Sequence, residues 1–344
     1  MRVRSSTPGE MTSPAKRATR DPGHCALPSL GLAISILLLA AKTSLSQTLL
    51  GSQVDNFEGR PRVVVLTDIG NEPDDQMSFV RLLLYSNELD LEGLIATTST
   101  WQKGKVRPDT LHELIAAYAE LRPNLLEHAT GWPEAAKLDA VVTSGQLHYG
   151  MAFIMEGDTP SFLGLTNNGL NSYRNPSWGG WGGRYVHRTP YGETHPIWSQ
   201  GGDIYQRVTS EDSVAGIDGK TYVSDQATVW RWREAFQHDF AARMDWTIKP
   251  HAGANHNPLV TVNGETGTAP IVIDAEVGTA VNLDAGGSRD PDGRALSYKW
   301  FHYPEAGFVP GQGMAAVTIS GDDAPKATVL PTAACLHLCY TGCQ

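Results

Sequence analysis

The strongest constraint on the fold is the stretch from Arg62 to Tyr85. It begins with a continuous apolar run, Val63 to Leu66, which is typical of a strand buried on both faces of a parallel sheet. It ends with apolar residues at helical spacing, namely Met77, Val80, Leu83 and Leu84. The pattern predicts a strand over 62–67 and a helix over 74–86, the first unit of an α/β fold. In open α/β sheets ligands bind at the carboxyl ends of the strands, so a site is expected in the turn between these elements.

Four carboxylates crowd this turn: Asp68 at the predicted strand end, followed by Glu72, Asp74 and Asp75. Carboxylates this close repel one another unless a cation neutralises them, and hard oxygen ligands favour calcium or magnesium. Helix capping is the alternative, because Asp74 could cap the helix and the helix dipole would favour Asp75 in its first turn. Capping does not account for Asp68 together with Glu72, so the pattern also indicates a functional site.

The segment Asp68-Ile-Gly-Asn-Glu-Pro-Asp74-Asp75 resembles the N-terminal Asp-x-Gly-x-Asp-Asp motif of the nucleoside hydrolase superfamily, with two residues inserted. This variant is similar to a secreted nucleoside hydrolase-like family, described as cellulose-binding proteins, that has an Ig-like C-terminal domain. Further segments resemble the same family, namely residues 94–101, 156–163, 178–184 and 230–237. The resemblance extends over residues 60–332.

The resemblance implies an α/β nucleoside hydrolase-like domain whose parallel sheet carries the active site. There Asp68 is the implied general base, and the water it deprotonates attacks an anomeric carbon through an oxocarbenium-like transition state. Asp68, Asp75 and Asp158 are the implied ligands of Ca²⁺. Asp74 is the implied partner of a ribose-like hydroxyl, and Glu72, which the insertion adds, joins it on the substrate side. The insertion puts a nucleoside substrate in doubt and leaves another glycoside open.

Aromatic and amide side chains supply further candidate contacts to substrate. The candidates are Trp101, Asn168, Trp178 and Trp181. Trp101 follows a second predicted strand, 91–97, and would lie at the same carboxyl edge as Asp68. Tryptophan rings stack on sugars and amides hydrogen-bond hydroxyls. Rigid structural loops use the same residue types, and Asp158 also suits an ordinary turn before a Thr-Pro pair, so both interpretations stay open.

Residues 151–153 join two segments that are not neighbours in the family. In the family a long central stretch separates them and carries further strands, helices and a loop like the one that gives calcium a backbone carbonyl in nucleoside hydrolases. The resemblance therefore implies an internal gap in the 60–250 domain, with an incomplete sheet and an incomplete calcium site. Missing central strands expose apolar faces and sheet edges, so we expect poor solubility or a rearranged fold.

Residues 1–47 match the pattern of a signal peptide. Basic residues between Arg2 and Arg20 precede an apolar core, Leu30 to Ala41, and small residues lead to a cleavage point near Ser46. The core is short for a transmembrane helix, so we expect secretion without stable membrane insertion, with a signal anchor as the alternative. The formal net charge of −10 argues against nucleic-acid binding.

The C-terminal part differs from the preceding residues in its predicted secondary structure. After helices predicted over 110–121, 132–144 and 225–244, a linker, 251–258, leads to short alternating segments over 259–333 that are typical of a β-sandwich. The turn at residues 286–293 resembles an Ig-like repeat of the polycystic-kidney-disease type, and the domain ends earlier than in the family. The tail, 334–344, contains Cys335, Cys339 and Cys343. This odd set permits one disulfide with a free thiol, a metal site with His337, or a non-native tail.

Two functions follow from these observations. The first is a secreted, calcium-dependent glycosidic-bond hydrolase of nucleoside hydrolase type, acting on a carbohydrate or nucleoside-like substrate. The second is a carbohydrate-binding protein without catalysis, with cellulose as the implied ligand, or a form that the missing segment makes inactive. A phosphatase of haloacid dehalogenase type is disfavoured, because the second aspartate it needs two residues after Asp68 is Gly70.

Overall fold

The structure is a computed structural model that describes residues 2–4, 60–99, 102–145, 162–170, 175–189, 194–199, 210–307, 317–332 and 337–343. The first elements are β1 (Arg2–Arg4), β2 (Arg62–Thr67), α1 (Pro73–Leu84), β3 (Asp90–Thr97), α2 (Pro108–His128), α3 (Ala135–Asp139) and β4 (Val142–Gly145). Strands β2, β3 and β4 form a parallel sheet in that order. The predicted parallel sheet is therefore confirmed, as is the strand–helix unit that opens it.

One face of this sheet is buried under the helices. Leu94 and Ala96 of the central strand β3 are fully buried. Helix α2 packs on β3 and β4 and contributes Leu111 and Ile115 to the same hydrophobic core. Since the three strands are parallel, their carboxyl ends meet at one edge of the sheet.

The other face of β2 is open to solvent. Side chains alternate along the strand, and those of Val64 and Leu66 are 53% and 56% exposed. Met77 and Val80 on α1 are exposed as well. Among the described residues β2 pairs only with β3, so the expectation that it is buried on both faces is wrong. An exposed apolar face is uncommon in a parallel sheet, and the expectation that this sheet is incomplete stays a prediction.

Replacing Leu66 with threonine is expected to reduce aggregation of the purified chain without a measurable change in its thermal midpoint. The side chain is more than half exposed and its removal costs little burial, while threonine keeps the β-propensity of the strand. The comparison is Leu94→Thr on the neighbouring strand, where full burial predicts a loss of about 2–4 kcal/mol. Light scattering and thermal unfolding measure the two effects, and equal destabilisation by both variants would contradict the open face.

The expectation of a helix over 132–144 is wrong. Only Ala135–Asp139 is α-helical, and Val142–Gly145 forms strand β4 with Val142 opposite Leu94 of β3. Two β-branched residues, Val142 and Thr143, begin this strand and suit a pleated surface beside β3. Strand β4 adds a third carboxyl end to the edge where Asp68 lies.

After the sheet, the described residues include two hairpins and two helices in the range 186–246. They are β5 (Val186–Arg188) with β6 (Ile197–Ser199), β7 (Asp212–Ala215) with β8 (Thr221–Ser224), α4 (Ala227–Trp230) and α5 (Arg233–Trp246). The sequence predicts a loop over 187–219 and one helix over 225–244, and both predictions are wrong in detail. The helix is interrupted at Arg231, whose guanidinium Nε donates to the carboxylate of Asp212 at 2.9 Å. The residue at the break thus contacts a residue far back in the chain.

Helix α5 is tied to the first strand–helix unit by a buried polar cluster. Asp239 Oδ2 accepts hydrogen bonds from the Tyr85 hydroxyl at 2.5 Å and from Arg243 Nε at 2.9 Å. Burial and the charge of Asp239 raise the pKa of Tyr85, so its phenol stays protonated and donates to that carboxylate. The cluster holds the end of α1 against α5.

The C-terminal part consists of short strands near the predicted positions. They are β9 (Thr261–Val262), β10 (Glu265–Thr266), β11 (Val272–Asp274), β12 (Val281–Asp284), β13 (Tyr298–His302), β14 (Val317–Ser320), β15 (Lys326–Pro331) and β16 (His337–Cys343). One sheet has the order β12–β15–β14, and another the order β11–β1–β16–β13. The tail thus supplies a strand, and Arg2–Arg4, within the predicted signal peptide, pairs with it. The Ig-like sandwich itself stays a prediction.

The predicted linker makes specific contacts with both parts of the chain. Asp292 accepts two hydrogen bonds of 2.8 Å from His256, one from the backbone N–H and one from ring Nδ1. Asn257 Nδ2 donates to Asp239 at 2.6 Å. Burial alone would raise the pKa of Asp292, but its hydrogen bonds with His256 hold it below the ordinary value. These contacts fix residues 251–258 between the two parts.

No helix within the described ranges is long and apolar enough to cross a membrane. The predicted apolar core of the signal peptide, residues 30–41, lies outside those ranges.

Candidate functional site

The structure places Asp68 directly after β2, at the carboxyl edge of the sheet. Its side chain is only 5% exposed. Among the described residues, none forms a hydrogen bond with Asp68 Oδ2, although that atom is buried. Burying a polar atom without a partner is costly, and more so for a carboxylate. The oxygen is therefore set up to receive a proton donor or a cation from outside the chain.

The loop after β3 supports the backbone at Asp68. Gln102 Nε2 donates to the carbonyl oxygen of Asp68 at 2.5 Å and to that of Ile69 at 3.1 Å. The backbone N–H of Gln102 in turn donates to Ser99 Oγ at 3.1 Å. Thr98 and Ser99 are buried beside this contact. The loops that leave β2 and β3 are thus tied together, and Asp68 is held by its backbone while one oxygen stays unpartnered.

The turn from Asp68 to α1 depends on a glycine. Gly70 has φ +92°, a conformation that residues with a side chain rarely adopt. A Cβ at this position would lie 3.1 Å from Cγ of Arg107. Arg107, which sequence analysis missed, also forms an ion pair of 3.0 Å with Asp109. A basic side chain therefore lies next to the acidic turn.

The other acids lie at the start of α1. Glu72 is the N-cap residue but makes no side-chain capping hydrogen bond, so the interpretation of Asp74 as the cap is wrong. Asp74 and Asp75 lie in the first turn, where the helix dipole favours negative charge. Glu72 and Asp74 are exposed and Asp75 is half-buried. The site thus has one buried carboxylate, Asp68, and an exposed acidic rim.

The described ranges contain no group of three or more His, Cys, Asp or Glu side chains arranged to hold a metal ion. Two predicted site residues, Asp158 and Trp101, lie outside those ranges. The calcium site therefore stays a prediction that rests on Asp68 and Asp75 among the described residues.

The remaining sequence-predicted contacts lie in well-packed loops. Trp178 ends a short 3₁₀ turn, and both Trp178 and Trp181 are half-buried and pack against the hydrophobic core. Asn168 Oδ1 accepts a hydrogen bond of 3.1 Å from the backbone N–H of Leu170. A role for these three residues in sugar binding stays a prediction, since part of each side chain already serves the fold.

A buried charge cluster that no sequence motif marks lies at the start of β7. Asp212 is completely buried, and its Oδ1 accepts from Arg184 Nε and Nη2 at 3.1 and 2.9 Å. Its Oδ2 accepts from Arg231 Nε at 2.9 Å and from the Tyr303 hydroxyl at 2.7 Å. Burial and the charge of Asp212 raise the pKa of Tyr303, so that phenol remains a donor. Arg184, part of the predicted sugar-contacting loop, is thus engaged in an internal ion pair.

Family models match this chain in two regions. The model described as "Cellulose-binding Sde182, nucleoside hydrolase-like domain" matches residues 62–153 and 151–185. The model described as "Cellulose-binding protein Sde0182, C-terminal domain" matches residues 280–339. The chain belongs to this family. The two N-terminal matches meet at residues 151–153, where sequence analysis places the internal gap, and the gap itself stays a prediction.

A solved structure is similar to this chain over 80% of its length and 92% of the other chain, with 27% sequence identity and a TM-score of 0.63. It is described as a nucleoside hydrolase-related hypothetical protein from Saccharophagus degradans that is associated with carbohydrate metabolism. Comparison with curated proteins gives no significant match. The nucleoside hydrolase-like fold is therefore supported by both sequence and structure.

Proposed function

We propose that this chain hydrolyses a glycosidic bond at the carboxyl edge of the β2–β3–β4 sheet, with Asp68 as the general base. The observation that carries the proposal is the buried, unpartnered Oδ2 of Asp68 at that edge. Further support comes from the nucleoside hydrolase-like family and from the carbohydrate association stated for the similar structure. A carbohydrate is therefore the preferred substrate class, ahead of a nucleoside.

Each acid has a distinct task in this proposal. Asp68 accepts a proton from the attacking water, because its Oδ2 has a free acceptor position in a site that excludes bulk solvent. Glu72 and Asp74, on the exposed rim, accept hydrogen bonds from sugar hydroxyls. The Gln102 side chain donates to the backbone carbonyl of Asp68 and keeps the base in place while the Asp68 carboxylate reacts.

The oxygen donors present suit Ca²⁺, since Asp68 and Asp75 are hard ligands and a cation would satisfy the orphaned Asp68 oxygen. The resemblance adds Asp158 as a third ligand. A bound calcium would supply positive charge that makes water more acidic and relieves repulsion among the carboxylates. We further propose that the protein is secreted, which would place this site in the calcium-rich extracellular medium.

Carbohydrate binding without hydrolysis is the second candidate. It is favoured by the description of both matching family models as cellulose-binding. The exposed positions of Glu72 and Asp74 serve a binding protein as well as an enzyme.

Turnover separates the two candidates. Aryl glycosides, cello-oligosaccharides and nucleosides are incubated with the wild-type chain and with Asp68→Asn, and cellulose pull-down is measured in parallel. Product formed by the wild type alone supports hydrolysis. Retention on cellulose by both proteins, with no product from either, supports the binding protein and overturns the hydrolase.

A further inference from the structure

Two exposed aromatic rings meet on the surface formed by the β7–β8 hairpin and helix α4. Tyr222 in β8 is 38% exposed, and Trp230 at the end of α4 is 43% exposed. Their ring centroids lie 5.9 Å apart and their planes are almost perpendicular, at 81°. We call these two residues the aromatic corner. It contains none of the residues that sequence analysis singled out for substrate binding.

The turn of the hairpin fixes the orientation of the Tyr222 ring. The Tyr222 hydroxyl donates to Asp218 Oδ2 at 2.8 Å, and Asp218 Oδ1 accepts from the backbone N–H of Lys220 at 3.1 Å. The ring also lies against Gly216, where a Cβ would come within 2.6 Å of a ring carbon. Because the ring is held at its hydroxyl and lies against Gly216, little conformational entropy is lost when a ligand stacks on it.

The Asp212 cluster anchors both halves of the corner. Asp212 begins β7, and Arg231, which donates to it, directly follows Trp230. The hairpin and the end of α4 are therefore connected through one buried carboxylate. This connection ties the elements that carry the two rings to each other.

The chemistry around the corner suits a carbohydrate. Sugar rings present C–H groups that stack on aromatic faces, and their hydroxyls need polar partners close by. Asp218 and Lys220 supply an acceptor and a donor at the rim and pair with each other at 3.3 Å. The cellulose-binding description of the family models points to the same ligand class.

The angle between the rings limits the form of the ligand. A flat crystalline cellulose surface can stack on only one of two perpendicular rings. A single glycan chain can stack on one ring and contact the other ring with its side. We propose that the aromatic corner of Tyr222 and Trp230 binds a single, soluble glycan chain. The proposal rests on carbohydrate as the ligand class of the proposed function and does not require catalysis at Asp68.

The test is calorimetric titration of the full chain with cellohexaose, together with affinity electrophoresis in soluble hydroxyethyl cellulose. Trp230→Ala and Tyr222→Ala are each expected to weaken binding about tenfold or more, as truncation of a central aromatic anchor does. Tyr222→Phe keeps the ring but loses the hydrogen bond to Asp218, and its affinity should fall between that of Tyr222→Ala and the wild type. Retention on crystalline cellulose should change much less in all three variants.

Two exposed residues provide matched controls. Trp198→Ala removes a tryptophan of similar exposure, 45%, on the β5–β6 hairpin, and it should bind like the wild type. Ile217→Ala removes an apolar side chain that is 97% exposed at the tip of the corner's own hairpin. This variant should weaken binding of an apolar protein partner but should not change binding of a sugar. Thermal unfolding of every variant confirms that it is folded.

The proposal is overturned if the wild type does not bind the soluble glycans, or if Trp230→Ala and Tyr222→Ala bind as it does. An equal loss of glycan affinity in Trp198→Ala also overturns it. A loss of glycan affinity in Ile217→Ala together with reduced self-association overturns it as well. Asp68→Asn separates the two proposals: it should retain glycan binding at the corner even if it has lost turnover. Binding at the corner without turnover in any variant leaves this site intact and rejects only the hydrolase.

Discussion

Replacing Asp212 with alanine is expected to lower the free energy of unfolding by about 3–5 kcal/mol, the usual effect of removing one partner from a buried ion pair. Asp212 is completely buried and accepts from Arg184, Arg231 and Tyr303. Its removal leaves the Arg184 guanidinium, itself only 6% exposed, without its carboxylate. The cluster also connects β7 and α4 to the C-terminal part through Tyr303, so the loss should affect both parts.

Urea unfolding followed by circular dichroism and by tryptophan fluorescence measures this loss. Asp245→Ala is the matched control, because Asp245 pairs with Lys249 at 2.8 Å but is 41% exposed. Exposed pairs of this kind contribute about 0.3–0.5 kcal/mol. Similar losses in the two variants would show that the Asp212 cluster contributes no more than a surface ion pair.

Replacing Asp68 with asparagine is expected to lower turnover by about 10²–10⁴-fold, the contribution of a positioned general base. The same change should leave the free energy of unfolding equal to that of the wild type or slightly higher. The reason is that Oδ2 has no hydrogen-bond partner among the described residues, and an uncharged amide is less costly to bury than a carboxylate. Loss of activity with retained stability would mark Asp68 as a functional residue, since a structural aspartate would lose both.

Steady-state kinetics on the best substrate, with urea unfolding of the same samples, tests this expectation. Asp74→Asn is the comparison, because Asp74 is exposed on the acidic rim and is assigned a hydroxyl contact. Its main effect should be a higher KM rather than a lower kcat. Unchanged kcat in Asp68→Asn would remove this residue from the reaction.

The pattern of apolar residues within a short stretch was sufficient to predict the first strand of the sheet and the first helix. The apolar run at 63–66 and the helical spacing after Pro73 predicted β2 and α1 almost to the residue. Strand β4 was missed because its four residues follow directly on a five-residue helix and are recognised only by pairing with β3. The break before α5 was also missed, and Arg231 at this break contacts an aspartate 19 residues earlier that no local pattern connects with it.

The residues of the candidate site likewise include some that a motif marks and others that only the fold reveals. Asp68 was found because a motif marks it, and the structure adds the unpartnered oxygen that no sequence pattern reveals. Asp212 belongs to no motif and lies in a predicted loop, so its burial and its partners required the tertiary fold. The Trp-Gly-Gly-Trp segment had an equally clear pattern, yet Trp178 and Trp181 pack against the core, whereas Tyr222 and Trp230 are exposed. Composition alone does not separate a packed tryptophan from a ligand-binding one.

The function proposed for this chain depends on binding of a cation by Asp68 at the sheet edge. Thermal unfolding of the wild type and of Asp68→Asn, with and without millimolar calcium, tests it most directly. A metal that binds only the folded state stabilises it by mass action, by about 2.7 kcal/mol at 100 times the dissociation constant. The account predicts a calcium-dependent rise in the wild-type midpoint that is absent in Asp68→Asn. An equal rise in both proteins, or no rise in either, would contradict it.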